Sequence, residues 1–282
     1  MFDIFKNRLE ITGILTTVTA LRIGAGRSTE PIGSDLPVLK DALGRPIIPG
    51  SSFKGAMRSR LESFLRGIDP EFAKDPTELT SSDQFRIINQ LKQTHRGDDA
   101  ALTEALLGVT DLVSQVFGSP WLSGKVQIRD LPVVPGSWFG QYQERDGVAI
   151  DRDTETASDG KLYDFQVVPA NTPFEFHAVV ENAQEWELGL LAIGLHQFET
   201  EQIPLGGGRS RGLGVCQLDI VETFWFDLEG DPVRLLSYLQ DLTAGSRQPL
   251  SPETAASLRQ DWVAALITKL RETSPTQPVA AQ

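Results

Sequence analysis

The chain has 282 residues, 40% of them hydrophobic and 23% charged, a composition that excludes wholesale disorder and allows one large domain or two small ones. Its single cysteine, Cys216, excludes an internal disulfide framework and a multi-cysteine zinc site, and fits a reducing compartment. The net charge of −12, from 26 basic and 38 acidic residues, argues at first sight against a polyanionic partner.

Lys6 and Arg8 ahead of Ile11–Leu21 imitate a signal peptide, but Asp3, Glu10 and four threonines interrupt the pattern. The longest wholly nonpolar stretch, Leu188–Leu195, is far too short to span a bilayer, so a cytoplasmic protein without membrane contact is expected. Leu9–Ile23, rich in β-branched residues, predicts a long strand. A glycine-punctuated loop, Gly24 to Gly33, leads to an apolar segment at Leu36–Leu39 and a turn at Asp41–Gly44. A helix is expected from Ser51 or Ser52, either able to cap it, with Phe53, Met57, Leu61, Phe64 and Leu65 at helical spacing. Residues 67–120 read as a helical insertion, with helices over Ser82–Lys92 and Asp98–Phe117. Lys125–Val134 predicts a strand, and the charged, glycine-containing stretch 135–164 a long loop or hairpin. Then follow a strand over Phe165–Val180 interrupted by Pro169 and Pro173, a helix over Glu185–Glu199, a glycine-rich loop at Gly206–Gly214 and a strand over Val215–Phe226. Two amphipathic helices joined through Gly245–Pro252 fill Asp231–Thr273, and 274–282 form a tail of low complexity, expected to be disordered.

The order of core elements is strand, helix, strand, long loop, strand, helix, strand. That is the split βαβ order of an α+β, ferredoxin-like (RRM-like) domain, whose sheet carries two helices on one face. A ferredoxin-like domain over 1–228 and a helical extension over 229–273 are the expected units.

Two segments can meet an anion. Pro204-Leu-Gly206-Gly207-Gly208-Arg209-Ser210-Arg211-Gly212 combines backbone that can approach a ligand closely with two forked cations suited to phosphate. It is neither a P-loop, because no Gly-Lys-Ser/Thr follows, nor a dinucleotide fingerprint, because it runs from helix to strand. The second segment is the helix start Gly50-Ser51-Ser52-Phe53-Lys54, with Lys54 and Arg58 one turn apart on a shared face. Residues 40–66 hold six basic and two acidic residues, whereas 175–201 hold six glutamates and no Lys or Arg. Charge is therefore segregated, and the basic part can meet a polyanion. Catalytic candidates are sparse: His95, His177 and His196 are scattered, and Cys216 falls in a strand pattern. Asp35, in Gly33-Ser34-Asp35-Leu36-Pro37, is a loop carboxylate that could hold a divalent cation or orient a ribose hydroxyl; a local Asx turn is the plainer reading of its spacing.

Taken in order, Leu21-Arg-Ile-Gly24, Gly33-Ser-Asp35-Leu-Pro-Val, Arg45-Pro-Ile-Ile-Pro-Gly-Ser-Ser-Phe-Lys-Gly55, Phe117-Gly-Ser119, Val126-Gln-Ile-Arg-Asp130, Val148-Ala-Ile-Asp-Arg152, Leu162-Tyr-Asp-Phe165 and Gly206–Gly214 resemble the backbone subunit of type III CRISPR effector complexes, in the RAMP superfamily. The resemblance implies a palm with a β-hairpin thumb at 135–164, lined up with neighbouring subunits along a CRISPR guide RNA paired to target RNA. It places Ser51, Ser52, Lys54, Arg58, Gly207, Gly208, Arg209, Ser210 and Arg211 on the RNA. It makes Asp35 the catalytic and metal-binding residue, with Mg²⁺ the expected ion, and no zinc is expected. Cleavage would proceed by attack of the ribose 2′-hydroxyl. The alternatives are an inactive structural subunit that only binds guide RNA and its neighbours, and a guide-processing ribonuclease, which the scattered histidines disfavour.

Overall fold

In the computed structural model, residues 4–27, 34–150 and 157–273 are described. Strand β1 (Asn7–Thr17) alternates strictly, putting Leu9, Ile11, Gly13, Leu15 and Thr17 on its buried face. It ends six residues short of the expected Ile23. The reason is local: the buried Thr17 hydroxyl donates to the Pro169 carbonyl (2.9 Å), tying the chain to a turn, and Leu21 keeps only an isolated bridge to Val168. A two-residue strand β2 (Ile47–Ile48) then feeds helix α1 (Gly50–Ile68).

Neither serine caps α1. Pro49 occupies the cap position, and the Gly50 N–H donates instead to Asp130 Oδ1 at 2.8 Å. Gly50 is required here, because a Cβ would lie 2.2 Å from the Ile128 carbonyl oxygen. The insertion holds α2 (Pro76–Leu79), α3 (Ser82–Thr94), α4 (Asp99–Gly108) and α5 (Leu112–Phe117). The single helix expected over Asp98–Phe117 is thus two. Asp111 breaks it by accepting from the Ser114 N–H (2.9 Å) and starting α5 afresh, a competition between side chain and helix typical of Asp. The Lys125–Val134 strand is likewise divided into β3 (Val126–Ile128) and β4 (Leu131–Pro132), the second pairing with β2.

The expected excursion contains an antiparallel hairpin of β5 (Gln143–Ile150) and β6 (Ala157–Val167). After it come β7 (Pro173–Glu181), α6 (Glu185–Glu199) and β8 (Cys216–Asp227). The main sheet has the order β3-β7-β1-β8, all neighbours antiparallel. Numbered as the four strands of a split βαβ unit, that order is 2-3-1-4, the ferredoxin-like topology. Helices α1 and α6 cover one face. Phe53 of α1 stacks on Phe198 of α6 at 4.0 Å and meets Phe176 of β7 at 5.1 Å, and all three are buried. Lys125 and Glu187 form a buried ion pair beneath α6 (Nζ to Oε1 2.7 Å), and burial pushes the Glu187 carboxyl up.

Two helices close the described chain, α7 (Pro232–Ala244) and α8 (Pro252–Thr273). α8 lies along α6, burying Trp262, Leu266 and Leu270. Their contact is close because Gly189 admits the Trp262 carbonyl: a Cβ there would lie 2.1 Å from that oxygen. α7 is held more loosely, by Tyr238 stacked on Phe226 (4.2 Å), and leaves Val233 and Leu236 more than 60% exposed. Arg247, beyond α7, reaches Glu10 on the outer face of the sheet (3.0 Å), which His177 also contacts (2.9 Å). Among the described residues no helix is long and apolar enough to cross a membrane. The tail 274–282 lies outside the described residues.

Candidate active site and nucleic-acid interface

The loop carrying Asp35 is fixed by the inner end of β6. The Asp35 N–H donates to Asp164 Oδ1 at 3.0 Å, the Gln166 N–H donates to the Leu36 carbonyl at 3.1 Å, and Leu36 bridges Phe165 in parallel sense. The Asp35 N–H holds the Asp164 carboxyl below the usual aspartate range, because it stabilises the charged form. Asp35 itself is half-buried. It is therefore not a free Asx turn but one side of a short pairing between the loop and the hairpin base.

The glycine-rich loop arrives at the same strand. Gly206 and Gly214, with φ of +74° and +90°, fold it tightly: a Cβ would lie 2.1 Å from the Arg22 carbonyl oxygen at the first and 2.0 Å from that of Leu205 at the second. The Gly207 N–H donates to the Arg22 carbonyl (2.8 Å), and Arg209–Arg211 form a single 3₁₀ turn between Gly208 and Gly212, both left-handed. Arg209, Ser210 and Arg211 are exposed, and the Arg211 guanidinium donates to the Tyr163 hydroxyl at 3.1 Å. Phe165, Val167, Ala20 and Leu213 form a small hydrophobic cluster of their own beneath these loops, with Leu36 and Tyr163 packed against it.

The α1 residues behave differently. Lys54 is half-buried and donates to the Val126 carbonyl (2.7 Å); burial, with the charge of Arg58, lowers its pKa. Arg58 directs Nε to Glu62 (2.7 Å), Nη1 to the Gly118 carbonyl (3.0 Å) and Nη2 to the Ser114 hydroxyl (3.1 Å). The basic window is thereby partly neutralised within itself, since Arg66 also pairs with Glu62 and Arg45 with Asp41. Both cations hold the 114–126 segment, including Phe117-Gly118-Ser119, against the helix. Ser51 is exposed at the helix start and Ser52 is half-exposed.

Residue type alone brings Asp35 and the arginine–glycine loop forward but not the strand that joins them. Tyr163 and Asp164 are consecutive residues of β6, one touching each loop. Arg22 is the third omission. Its guanidinium lies over the Phe165 ring (5.2 Å) beside Gly207, adding a cation next to the glycine-rich loop. The signal that could have found them is their place in the motifs Leu21-Arg-Ile-Gly24 and Leu162-Tyr-Asp-Phe165, which mark the segments but not the contacts.

Cys216 is buried in β8, in keeping with its place in a strand pattern, and burial pushes its thiol up to about 12, too high for a nucleophile. Among the described residues no three His, Cys, Asp or Glu side chains gather as a metal cage. A half-buried loop carboxylate still suits Mg²⁺, which is commonly held by one or two carboxylates and completed by substrate phosphates and water.

Comparison with known proteins agrees with the topology. A curated relative from Enterococcus italicus, named CRISPR system Cms endoribonuclease Csm3, is 27% identical over 227 residues, 79% of this chain and 96% of the relative. The protein of that name from Streptococcus thermophilus is 26% identical over 212 residues, 73% of this chain and 85% of its own length. The one from Mycobacterium tuberculosis is 49% identical over a shorter stretch of 74 residues, 25% of this chain and 31% of the relative. The model of the RAMP superfamily matches residues 14–217, which hold both helices on the sheet, strands β3 and β7, the hairpin and the glycine-rich loop, with the end of β1 and the start of β8. The chain belongs to the RAMP superfamily.

Proposed function

We propose that this chain is a backbone subunit of a type III CRISPR effector complex, which binds guide RNA and cleaves the target RNA paired to it. The observation that carries the reading is the meeting of the Asp35 loop, the arginine–glycine loop and the hairpin base at Tyr163–Phe165. A polyanion lying across that junction would meet the guanidinium groups of Arg209 and Arg211 on one loop and the carboxylate of Asp35 on the other.

Arg209 and Arg211 hold phosphates of the guide backbone, with Gly207, Gly208 and Ser210 letting the RNA approach the main chain. Ser51 and Ser52 offer hydroxyls at the α1 start, where the Ser52 N–H already donates to the Pro49 carbonyl (2.9 Å). Lys54 and Arg58 act one step back, by holding the 114–126 segment in place. Sequence specificity comes from guide–target pairing, as in other RNA-guided systems. The β5–β6 hairpin is the thumb that displaces a target base, and neighbouring subunits are the remaining partners.

Asp35 orients the target ribose 2′-hydroxyl toward the adjacent phosphate. The 2′-oxygen forms a bond to phosphorus as the bond to the 5′-oxygen breaks, leaving a cyclic phosphate and a 5′-hydroxyl. Asp35 would also hold the divalent cation, most simply Mg²⁺, whose charge would stabilise the phosphate as negative charge builds. The test is the assembled complex carrying Asp35→Ala. Its guide and target binding is expected to match the unaltered complex while cleavage is abolished. Unchanged cleavage at every site would leave this chain as a structural subunit.

A further inference from the structure

Asp164 stands opposite Asp146 in the β5–β6 register, a pairing of two acids that makes no cross-strand ion pair. Its Oδ1 instead accepts from the main-chain N–H of Asp35 (3.0 Å). On either side of it in β6, Tyr163 takes a hydrogen bond from Arg211 and Phe165 bridges Leu36. Phe165 also shares a small cluster with Ala20, Val167 and Leu213, apart from the main core. Three consecutive residues of one strand thus tie two loops to the base of the hairpin.

We propose that Asp164 is the positioning residue for the cleaving loop: its carboxylate sets the main chain of Asp35, so that cutting requires the hairpin base to be seated. The inference rests on Asp35 being the residue that acts on the target. What Asp164 supplies is an acceptor at one point in space, and Asn supplies the same acceptor without the charge. Displacement of a reacting group by about 1 Å can cost roughly a hundredfold in rate.

The experiment compares complexes assembled with the unaltered chain, Asp164→Ala, Asp164→Asn and Asp35→Ala, at saturating target. Asp164→Ala is expected to lower the single-turnover cleavage rate by about 10- to 100-fold with guide and target affinity unchanged. Asp164→Asn is expected to restore the rate to within about threefold and, because it keeps the acceptor for the Asp35 N–H, not to lower the melting temperature. Hydrogen exchange on the full chain gives a second readout that needs no assembly. The Asp35 amide should exchange faster in Asp164→Ala and not in Asp164→Asn. An unaltered cleavage rate in Asp164→Ala overturns the proposal, as does equal Asp35 exchange in all three chains. Cleavage as slow in Asp164→Asn as in Asp164→Ala also overturns it, because the charge would then be what matters. Asp35→Ala keeps the two ideas apart: full cleavage there refutes the role of Asp35, while the exchange result still judges the anchor.

Discussion

Replacing Arg58 by Ala should unfold the protein more easily without loosening its hold on RNA. The side chain makes three hydrogen bonds, to Glu62, the Gly118 carbonyl and the Ser114 hydroxyl, and Ser114 is fully buried. Its removal takes away a charged partner of Glu62, worth about 1.5–3 kcal/mol, and strands a buried hydroxyl and a carbonyl at about 1 kcal/mol each. Arg66 still pairs with Glu62, which softens the first effect, so a net destabilisation of about 3 kcal/mol is expected. At roughly 2–4 °C per kcal/mol for a chain of this size, the melting temperature should fall by about 6–12 °C. Arg58→Lys, which can reach fewer acceptors, should fall by less. RNA affinity is then measured against salt at a temperature where the variant is folded. Every phosphate that the protein ceases to neutralise reduces the slope of log K against log salt by about 0.7 for single strands, and Arg58→Ala should leave the slope unchanged. A variant that melts normally but shows a shallower slope would refute the argument, because Arg58 would then face the RNA.

Arg209→Ala and Arg211→Ala should do the reverse, each flattening the salt slope by about 0.7 with the melting temperature little changed, and a full slope in both would remove the glycine-rich loop from the interface. Burial pushes the Glu10 carboxyl up, but hydrogen bonds from His177 and Arg247 and the charges of Arg247 and Arg8 outweigh it and hold the pKa down at about 2, against an ordinary 4.5. That stabilisation is therefore present above about pH 4.5 and lost as pH falls toward 2; discounted for solvent screening of the partly exposed arginines it is on the order of 1–2 kcal/mol. Glu10→Gln should flatten the acid limb of an unfolding titration in that window, and an unchanged limb would contradict the network. Gly189→Ala should lower stability by about 1–2 kcal/mol even though Ala outdoes Gly in a helix by about 1 kcal/mol, because the Trp262 carbonyl occupies the place of the methyl group. A raised melting temperature would mean that α8 does not pack against α6 this closely.

The elements readable from sequence are those whose local signals agree with their packing. Glu185–Glu199, apolar at its centre and bounded by Gln184 and Thr200, forms as expected, and strand alternation in β1 is visible from Leu9 to Leu15. Where a side chain competes with the backbone, local pattern misleads. Asp111 splits a helix, Asp130 takes the capping role expected of Ser51 or Ser52, and the Thr17 hydroxyl ends β1 early. The same limit applies to the site. Asp35, Arg209 and Arg211 stand out by residue type, whereas the inward direction of Lys54 and Arg58 depends on Gly118, Ser114 and Val126, more than fifty residues away. Asp164 is visible only as one letter of a motif, since its role comes from a partner 129 positions earlier.

The most direct test of the proposed function is the distance from Asp35 to the target in an RNA-bound structure of the assembled complex. If Asp35 cuts with a divalent cation, its carboxylate oxygens should lie within about 4 Å of an oxygen of the phosphate beside a displaced base, the span that two metal–oxygen bonds of roughly 2.1 Å allow. A carboxylate more than about 10 Å from every target phosphate, with the hairpin seated and Asp164 still on the Asp35 amide, would contradict it.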